Sequence, residues 1–385
     1  MKRNPFFSSL SNKYLFQEIQ SRVTAFQKAH PDKRVLSLGI GDTTQPIAPS
    51  VVKRLVRASE ELGDTKTYTG YGPGTGLQEL REKIADITYS KALSDDEIFV
   101  SDGIKNDLLR VLLLFEDGVP IAIQDPSYPV YFDAATIAKS AKATLLPSIG
   151  GDVDLSKAPR ESVVFLCSPN NPTGEAFTRS QYEKMISVSI ERNLFIVLDA
   201  AYREFIRGDY PKSIYEVDGA KKVAIEVGSF SKAAGFSGVR LGWTVIPKEL
   251  SYSDGKSVHS DFHRIFTSVF NGASILSQKG ALQILTPEGQ QEISLQIASY
   301  MGQTQLLRAA LVKKGFSVLG GKEAPYIWVK TERSSWDSFD YFLNEMGIVV
   351  TPGIGFGPGG EGFIRFSGLA QPEVIAEAIE RISFL

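Results

Sequence analysis

Lys232 lies in the segment Ser229-Phe230-Ser231-Lys232-Ala233-Ala234-Gly235-Phe236-Ser237-Gly238-Val239-Arg240, directly behind the apolar run VAIEVG. A lysine amine is a nucleophile toward carbonyl carbon, and a base once its charge is suppressed. Two hydroxyls, those of Ser229 and Ser231, stand beside it, and Arg240 offers a planar fork suited to a phosphate. Gly235, Ser237 and Gly238 keep side-chain bulk low, so backbone can approach a ligand closely. A solvated surface lysine needs none of these neighbours, and the segment reads as a ligand-binding lysine with a phosphate beside it.

Four further polar clusters each follow an apolar run: Ser101-Asp102-Gly103, Asp125-Pro126-Ser127-Tyr128, Ser168-Pro169-Asn170-Asn171 and Asp199-Ala200-Ala201-Tyr202. In open α/β sheets ligands collect beyond the carboxyl ends of the strands, so these clusters are expected to converge. Asp199 closes the run LFIVLDAAY, where a buried carboxylate is costly without a partner; the bland alternative is a helix N-cap. Backbone N–H groups of Gly103, Ile104 and Lys105, ahead of the helical stretch NDLLRVLLLF, can form an anion nest. Arg365, in the alternating run FIRFSG, has the bidentate geometry that suits a substrate carboxylate.

The elements that must position these residues alternate along the chain. EIFVSDG, VPIAIQDP, SVVFLCSP, LFIVLDAA, VAIEVGSFS and GWTVIP read as strands buried on both faces, separated by helical periodicity such as LQELREKIADITYSKAL and SQYEKMISVSIERN. The middle of the chain is therefore an α/β layered sheet. After it come a long amphipathic stretch, QEISLQIASYMGQTQLLRAALVKKG, and short strands in APYIWVK, GIVVTPG and GFIRFSG. These predict a large domain over 46–280 and a smaller α+β domain formed by 1–45 with 281–385.

Composition narrows the function. With 42 basic and 44 acidic residues among 385, no field is large enough to hold nucleic acid by phosphate neutralisation. The single cysteine, Cys167, makes no intrachain disulfide and sits in a strand pattern that reads as inert packing. No apolar run approaches the roughly 18 residues that span a bilayer, and the N-terminus lacks an apolar leader core, so a cytoplasmic location is the simplest expectation. No metal site is expected.

The Lys232 segment resembles the signature of fold-type I pyridoxal 5′-phosphate (PLP) aminotransferases, Ser-x-Ser-Lys-(five residues)-Gly-x-Arg-x-Gly, and matches it through Gly242. The resemblance implies a mixed, mostly parallel central sheet flanked by helices, with Lys232 carrying PLP as a Schiff base. It also implies that Ser229, Ser231, Arg240 and the Gly103-Ile104-Lys105 turn hold the phosphate, and that Asp199 pairs with the pyridine nitrogen. Tyr202 and Asn171 would bond the ring oxygen, Tyr128 would stack on the ring, and Arg365 would bind the substrate α-carboxylate.

Longer stretches, NPFFSSLSNKYLFQEIQSRV, LGIGDTTQPI, SDGIKND, FNGASILSQKGAL and GIGFGPGGEGFIRFS, resemble the LL-diaminopimelate aminotransferase family over nearly the whole chain. That resemblance implies interconversion of LL-2,6-diaminopimelate and tetrahydrodipicolinate with 2-oxoglutarate and glutamate, in a homodimer. Tyr71 and Asn271 would reach the partner's site, Tyr71 at the PLP phosphate. Tyr14, Gly41, Lys105 and the partner's Asn271 would serve the substrate, chiefly at its distal end. Some members carry an acidic residue after the Gly-Tyr-Gly, whereas this chain reads Gly72-Pro73-Gly74-Thr75-Gly76. Other expectations stay open: an aminotransferase for another amino acid, a PLP-dependent β-lyase, or a PLP-binding DNA regulator, which the near-neutral charge disfavours.

Overall fold

The computed structural model describes residues 1, 3, 7, 10, 15–138 and 143–384. Its central sheet has eight strands in the order Ile98–Ser101, Gly242–Val245, Ala224–Ser229, Phe195–Asp199, Val163–Cys167, Ile121–Asp125, Thr144–Ile149 and Asp152–Val153. The strands from Ala224–Ser229 to Thr144–Ile149 pair in parallel, and the outer pairs are antiparallel. Apolar runs without polar alternation build these strands because both faces are covered. Val164, Leu166, Ile196 and Leu198 enter one hydrophobic core, while Val163, Phe165, Cys167 and Val197 enter another on the opposite face.

Register sets the site. Cys167 pairs with Asp199, Asp199 with Val227, and Gly242 with both Ser229 and Ser101. The polar strand ends foreseen from the sequence thus lie side by side along one edge. Gly242 must lack a side chain there, because a Cβ would stand 2.9 Å from both Gly228 O and Ile104 Cγ2.

Helices begin and end where their caps dictate. Arg179–Arg192 opens on a Thr178/Gln181 capping box and closes on Asn193 in the left-handed conformation. The stretch expected to be one helix through Leu93 instead runs as Gln78–Lys83, passes into a π-turn at Ile84–Thr88, and stops before Ser90 and Lys91, both at positive φ. Beyond the π-turn Tyr89 is buried, accepting a hydrogen bond from Trp243 Nε1 at 2.9 Å. Such wide turns re-aim the residues that follow them.

A second, antiparallel sheet orders Ser317–Gly320, Tyr326–Lys330, Phe363–Ser367 and Thr351–Pro352. The run read as one strand, GIVVTPG, is split: Ile348–Val349 pairs in parallel with Leu36–Ser37, and Thr351–Pro352 joins the four-stranded sheet. The N-terminal strand is thereby stitched to this smaller body. The expected division at 280 falls inside the helix Ile275–Ile284. The hand-over lies farther on, within Pro287–Lys313, whose Ile293, Ile297, Tyr300 and Met301 pack in the large core and whose Leu307 and Leu311 pack in the small one.

Beneath the large sheet, Glu226 is fully buried, with Arg203 Nη1 at 2.9 Å, Ser213 Oγ at 2.8 Å and the Ile214 N–H at 3.1 Å. Removing one member of a buried ion pair strands the other charge in a low-dielectric interior. Glu226→Ala should therefore cost about 3–5 kcal/mol of stability, read as a lowered urea midpoint. An unchanged midpoint would mean that Arg203 finds other partners.

Candidate active site

A cavity of about 330 Å³ opens at the carboxyl edge of the central sheet. At its floor Asp199 is buried, accepting from Tyr131 Oη at 2.8 Å and from the Ala201 N–H at 2.9 Å. Burial raises its carboxyl above the ordinary range, opposed by those two hydrogen bonds and by the charge of Lys232. No cation of the described residues forms an ion pair with it, although hydrogen bonds alone compensate a buried carboxylate only in part.

Lys232 rides on the short helix Phe230–Ala233, capped by Ser229, whose hydroxyl accepts from the Ser231 N–H at 3.1 Å. Its Nζ donates to Gly41 O at 2.6 Å. Burial, the largest influence, pushes the amine below the ordinary lysine value; Asp42 opposes this, while Arg365 and Arg240 reinforce it. The amine is thus biased toward the neutral form that a nucleophile or base requires.

Arg240, at φ 67°, turns back so that its Nη1 donates to Ser237 O at 2.8 Å. Its guanidinium occupies the space that a side chain at residue 103 would fill, and the φ of 117° at Gly103 favours glycine there. Gly103 caps the helix Ile104–Leu112, and its N–H turns back to Ser101 Oγ at 3.3 Å, which leaves the Ile104 and Lys105 end facing the cavity.

Opposite, Arg365 reaches in from the small sheet and is only 1% exposed. Nη1 donates to Asn171 Oδ1 and Nη2 to Gly39 O, each at 2.5 Å, while Nε has no hydrogen bond. Tyr326 and Phe356 cover the guanidinium at 4.4 and 4.8 Å. No carboxylate of the described residues pairs with it, and burial lowers its affinity for the proton. Tyr202 Oη lies 2.5 Å from Tyr326 Oη, and burial raises both phenols.

Of the residues singled out from sequence, Gly41, Ile104, Lys105, Tyr128, Asn171, Asp199, Tyr202, Ser229, Ser231, Lys232, Arg240 and Arg365 line this one cavity. Gly103 stands behind Arg240. Tyr71 and Asn271 are exposed and do not line it, and Tyr14 lies outside the described residues. Sequence reasoning passed over Tyr131, Tyr326 and Asp42. Tyr131 carried a weak signal, standing three residues beyond Tyr128 in a single helical turn; Tyr326 and Asp42 carried none. Cys167, read as strand packing, is buried and also borders the cavity, its thiol pushed up by burial.

Residues 33–382 match the family model described as aminotransferase class I and II. The chain is 44% identical to the chloroplastic LL-diaminopimelate aminotransferase of Arabidopsis thaliana, covering 100% of this chain and 87% of that one. The chain belongs to the class I and II aminotransferases, in their LL-diaminopimelate aminotransferase family. It is 42% identical to the Protochlamydia amoebophila LL-diaminopimelate aminotransferase, over 99% of this chain and 97% of that one. The solved L,L-diaminopimelate aminotransferase of Chlamydomonas reinhardtii superposes with a TM-score of 0.95 at 43% identity, covering 100% and 98% of the two chains. Fold-type I architecture follows for this aminotransferase, with the large mostly parallel sheet and the smaller antiparallel one already described.

A lysine with a depressed folded-state pKa is protonated more readily in the unfolded chain. Stability then rises with pH between the folded value and roughly 10.4, and falls as pH drops through that window, by up to about 1.4 kcal/mol per unit. In cofactor-free protein, Lys232→Met should therefore be more stable than the parent at neutral pH, with the gap closing toward pH ~10.4. Parallel urea melts across pH measure this; a gap that widened with pH would refute it.

Proposed function

We propose that this aminotransferase moves an amino group between LL-2,6-diaminopimelate and 2-oxoglutarate, with tetrahydrodipicolinate and glutamate as the other pair. The observation that carries the reading is one cavity holding a charge-suppressed lysine, a buried carboxylate without a cation, and a buried arginine without an anion. The residues fit PLP: Asp199 would pair with a pyridinium nitrogen, and Ser229, Ser231, Arg240 and the Ile104-Lys105 helix end would hold a phosphate, the Gly103 N–H being already given to Ser101 Oγ. When bound, PLP supplies a carbonyl for amine exchange and a ring that accepts electrons from the substrate Cα.

Lys232 Nζ would take the proton from the substrate Cα and deliver it across the nitrogen to the carbon that PLP contributes, a transfer that its burial-lowered basicity favours. Asp199 would supply the negative charge that keeps the pyridine nitrogen protonated. Because Asn171 Oδ1 accepts from Arg365, its Nδ2 is left to donate to the ring oxygen together with Tyr202. Tyr128, set edge-on to Tyr131 at 6.0 Å, offers a flat face to the ring. Arg365 grips the α-carboxylate, since it is already desolvated and held by Asn171 and Gly39.

The distal end of the substrate we assign to Lys105, Tyr14 and the partner's Asn271, in a homodimer, and Gly41, whose carbonyl holds Lys232 Nζ, to its reacting end. Tyr71 is 90% exposed, with Tyr68 and Val269 also open, which suits a surface covered by a second copy. No described helix is long and apolar enough to cross a membrane, and we place the enzyme in the cytoplasm.

A panel of amino donors with 2-oxoglutarate tests the assignment. LL-diaminopimelate should be turned over; failure there alongside turnover of aromatic or aliphatic amino acids, or elimination products instead of transamination, would replace it. Lys232→Ala should slow the amino-transfer half-reaction by about 10²–10⁴-fold. Because residues 72–76 offer no carboxylate to a distal ammonium, the meso isomer should be discriminated against less than by a homologue carrying one there. Equal discrimination in the two enzymes would contradict this.

A further inference from the structure

Asp125 ends the strand Ile121–Asp125 at the same sheet edge as Asp199, yet it does not border the cavity. It is 6% exposed, and its Oδ1 has no hydrogen-bond partner. Its Oδ2 accepts from the Gly359 N–H at 2.9 Å. A second bond joins the same two regions, from the Ser127 N–H to Phe356 O at 2.9 Å. Gly357 presses so closely on the carboxylate that it has no room for a Cβ, and a Cβ at Gly359 would meet it at 3.0 Å.

The far side of this loop is tied to the small body. Ser335 Oγ donates to Gly360 O at 3.1 Å and accepts from the N–H groups of Ile354 at 3.2 Å and Gly362 at 3.1 Å. Between the two anchorages stands Phe356, whose ring lies 4.8 Å from the Arg365 guanidinium and 5.9 Å from the ring of Trp328. Trp328 is itself the register partner of Arg365. A half-satisfied buried carboxylate stabilises a fold poorly, since an apolar residue would avoid its desolvation cost. Its geometry makes sense as a clamp.

We propose that Asp125 is a positioning residue for substrate binding: by holding Gly359, and through it Phe356, it sets the face against which Arg365 presents its guanidinium to the substrate carboxylate. The inference rests on the assignment of Arg365 made above.

Asp125→Ala removes the acceptor, and Gly359→Ala perturbs the contact from the other side, its Cβ meeting Asp125 Oδ2 at 3.0 Å. In the holoenzyme of both variants, the KM for the amino donor and the calorimetric Kd for glutarate, a dicarboxylate that cannot react, should rise about tenfold, with kcat changed less than about threefold. The cofactor absorbance band should not move. Arg365→Lys is run in parallel. If it weakens glutarate and neither clamp variant does, or if the clamp variants lose kcat with KM and Kd unchanged, Asp125 is structural only and the proposal falls. If Arg365→Lys leaves glutarate affinity untouched, the carboxylate assignment fails, and this inference with it.

Discussion

Charges taken out of water without counter-ions are the constraint on which this structure turns. Lys232, Asp199 and Arg365 each face one cavity, the lysine half-buried and the other two buried, and each is held by neutral groups: two backbone carbonyls, a phenol, a backbone N–H and a side-chain amide. A folded chain tolerates this only where something else supplies the compensation. A cationic, phosphorylated cofactor and a carboxylate substrate would supply it, and the free energy withheld from folding becomes available to binding and to proton transfer.

The three groups come from different layers, and the architecture is what brings them together. Asp199 ends one strand and Lys232 rides on the short helix that follows the adjacent parallel strand, so strand register and that helix together set them near each other. Arg365 arrives from the antiparallel sheet, and its donors end on Gly39 in the N-terminal segment and Asn171 on the large sheet. One guanidinium therefore reports on the placement of three parts of the chain. Close backbone approach makes the assembly possible: Gly103 yields its side-chain space to Arg240, and Gly242 lets the helix Ile104–Leu112 rest on the sheet.

Much of this was legible in the sequence because the strand-end residues fall in short contiguous motifs. Ser229 to Arg240 carries a full constellation within twelve residues, and apolar runs ending in Asp199 or Asn171 announce both strand and site. Tyr326 and Asp42 were not legible, since their place depends on how distant segments meet rather than on neighbours in sequence. The same holds for the domain division. Pro287–Lys313 is apolar on successive faces because it serves two cores in turn, and a single helix offers no composition break where the hand-over occurs. The π-turn at Ile84–Thr88, which precedes the buried Tyr89, had no signal either.

The side-by-side pairing of Cys167, Asp199 and Val227 also bears on how such a protein can diverge. Successive residues of a strand point to opposite faces, and each advances the chain by about 3.3 Å. Gaining or losing one residue within Phe195–Asp199 would turn the carboxylate to the other side of the sheet, and gaining two would restore its side but overshoot the site. Descendants of this chain are free to grow in their loops, while the lengths of these inner strands are held as strictly as the identity of any side chain they carry.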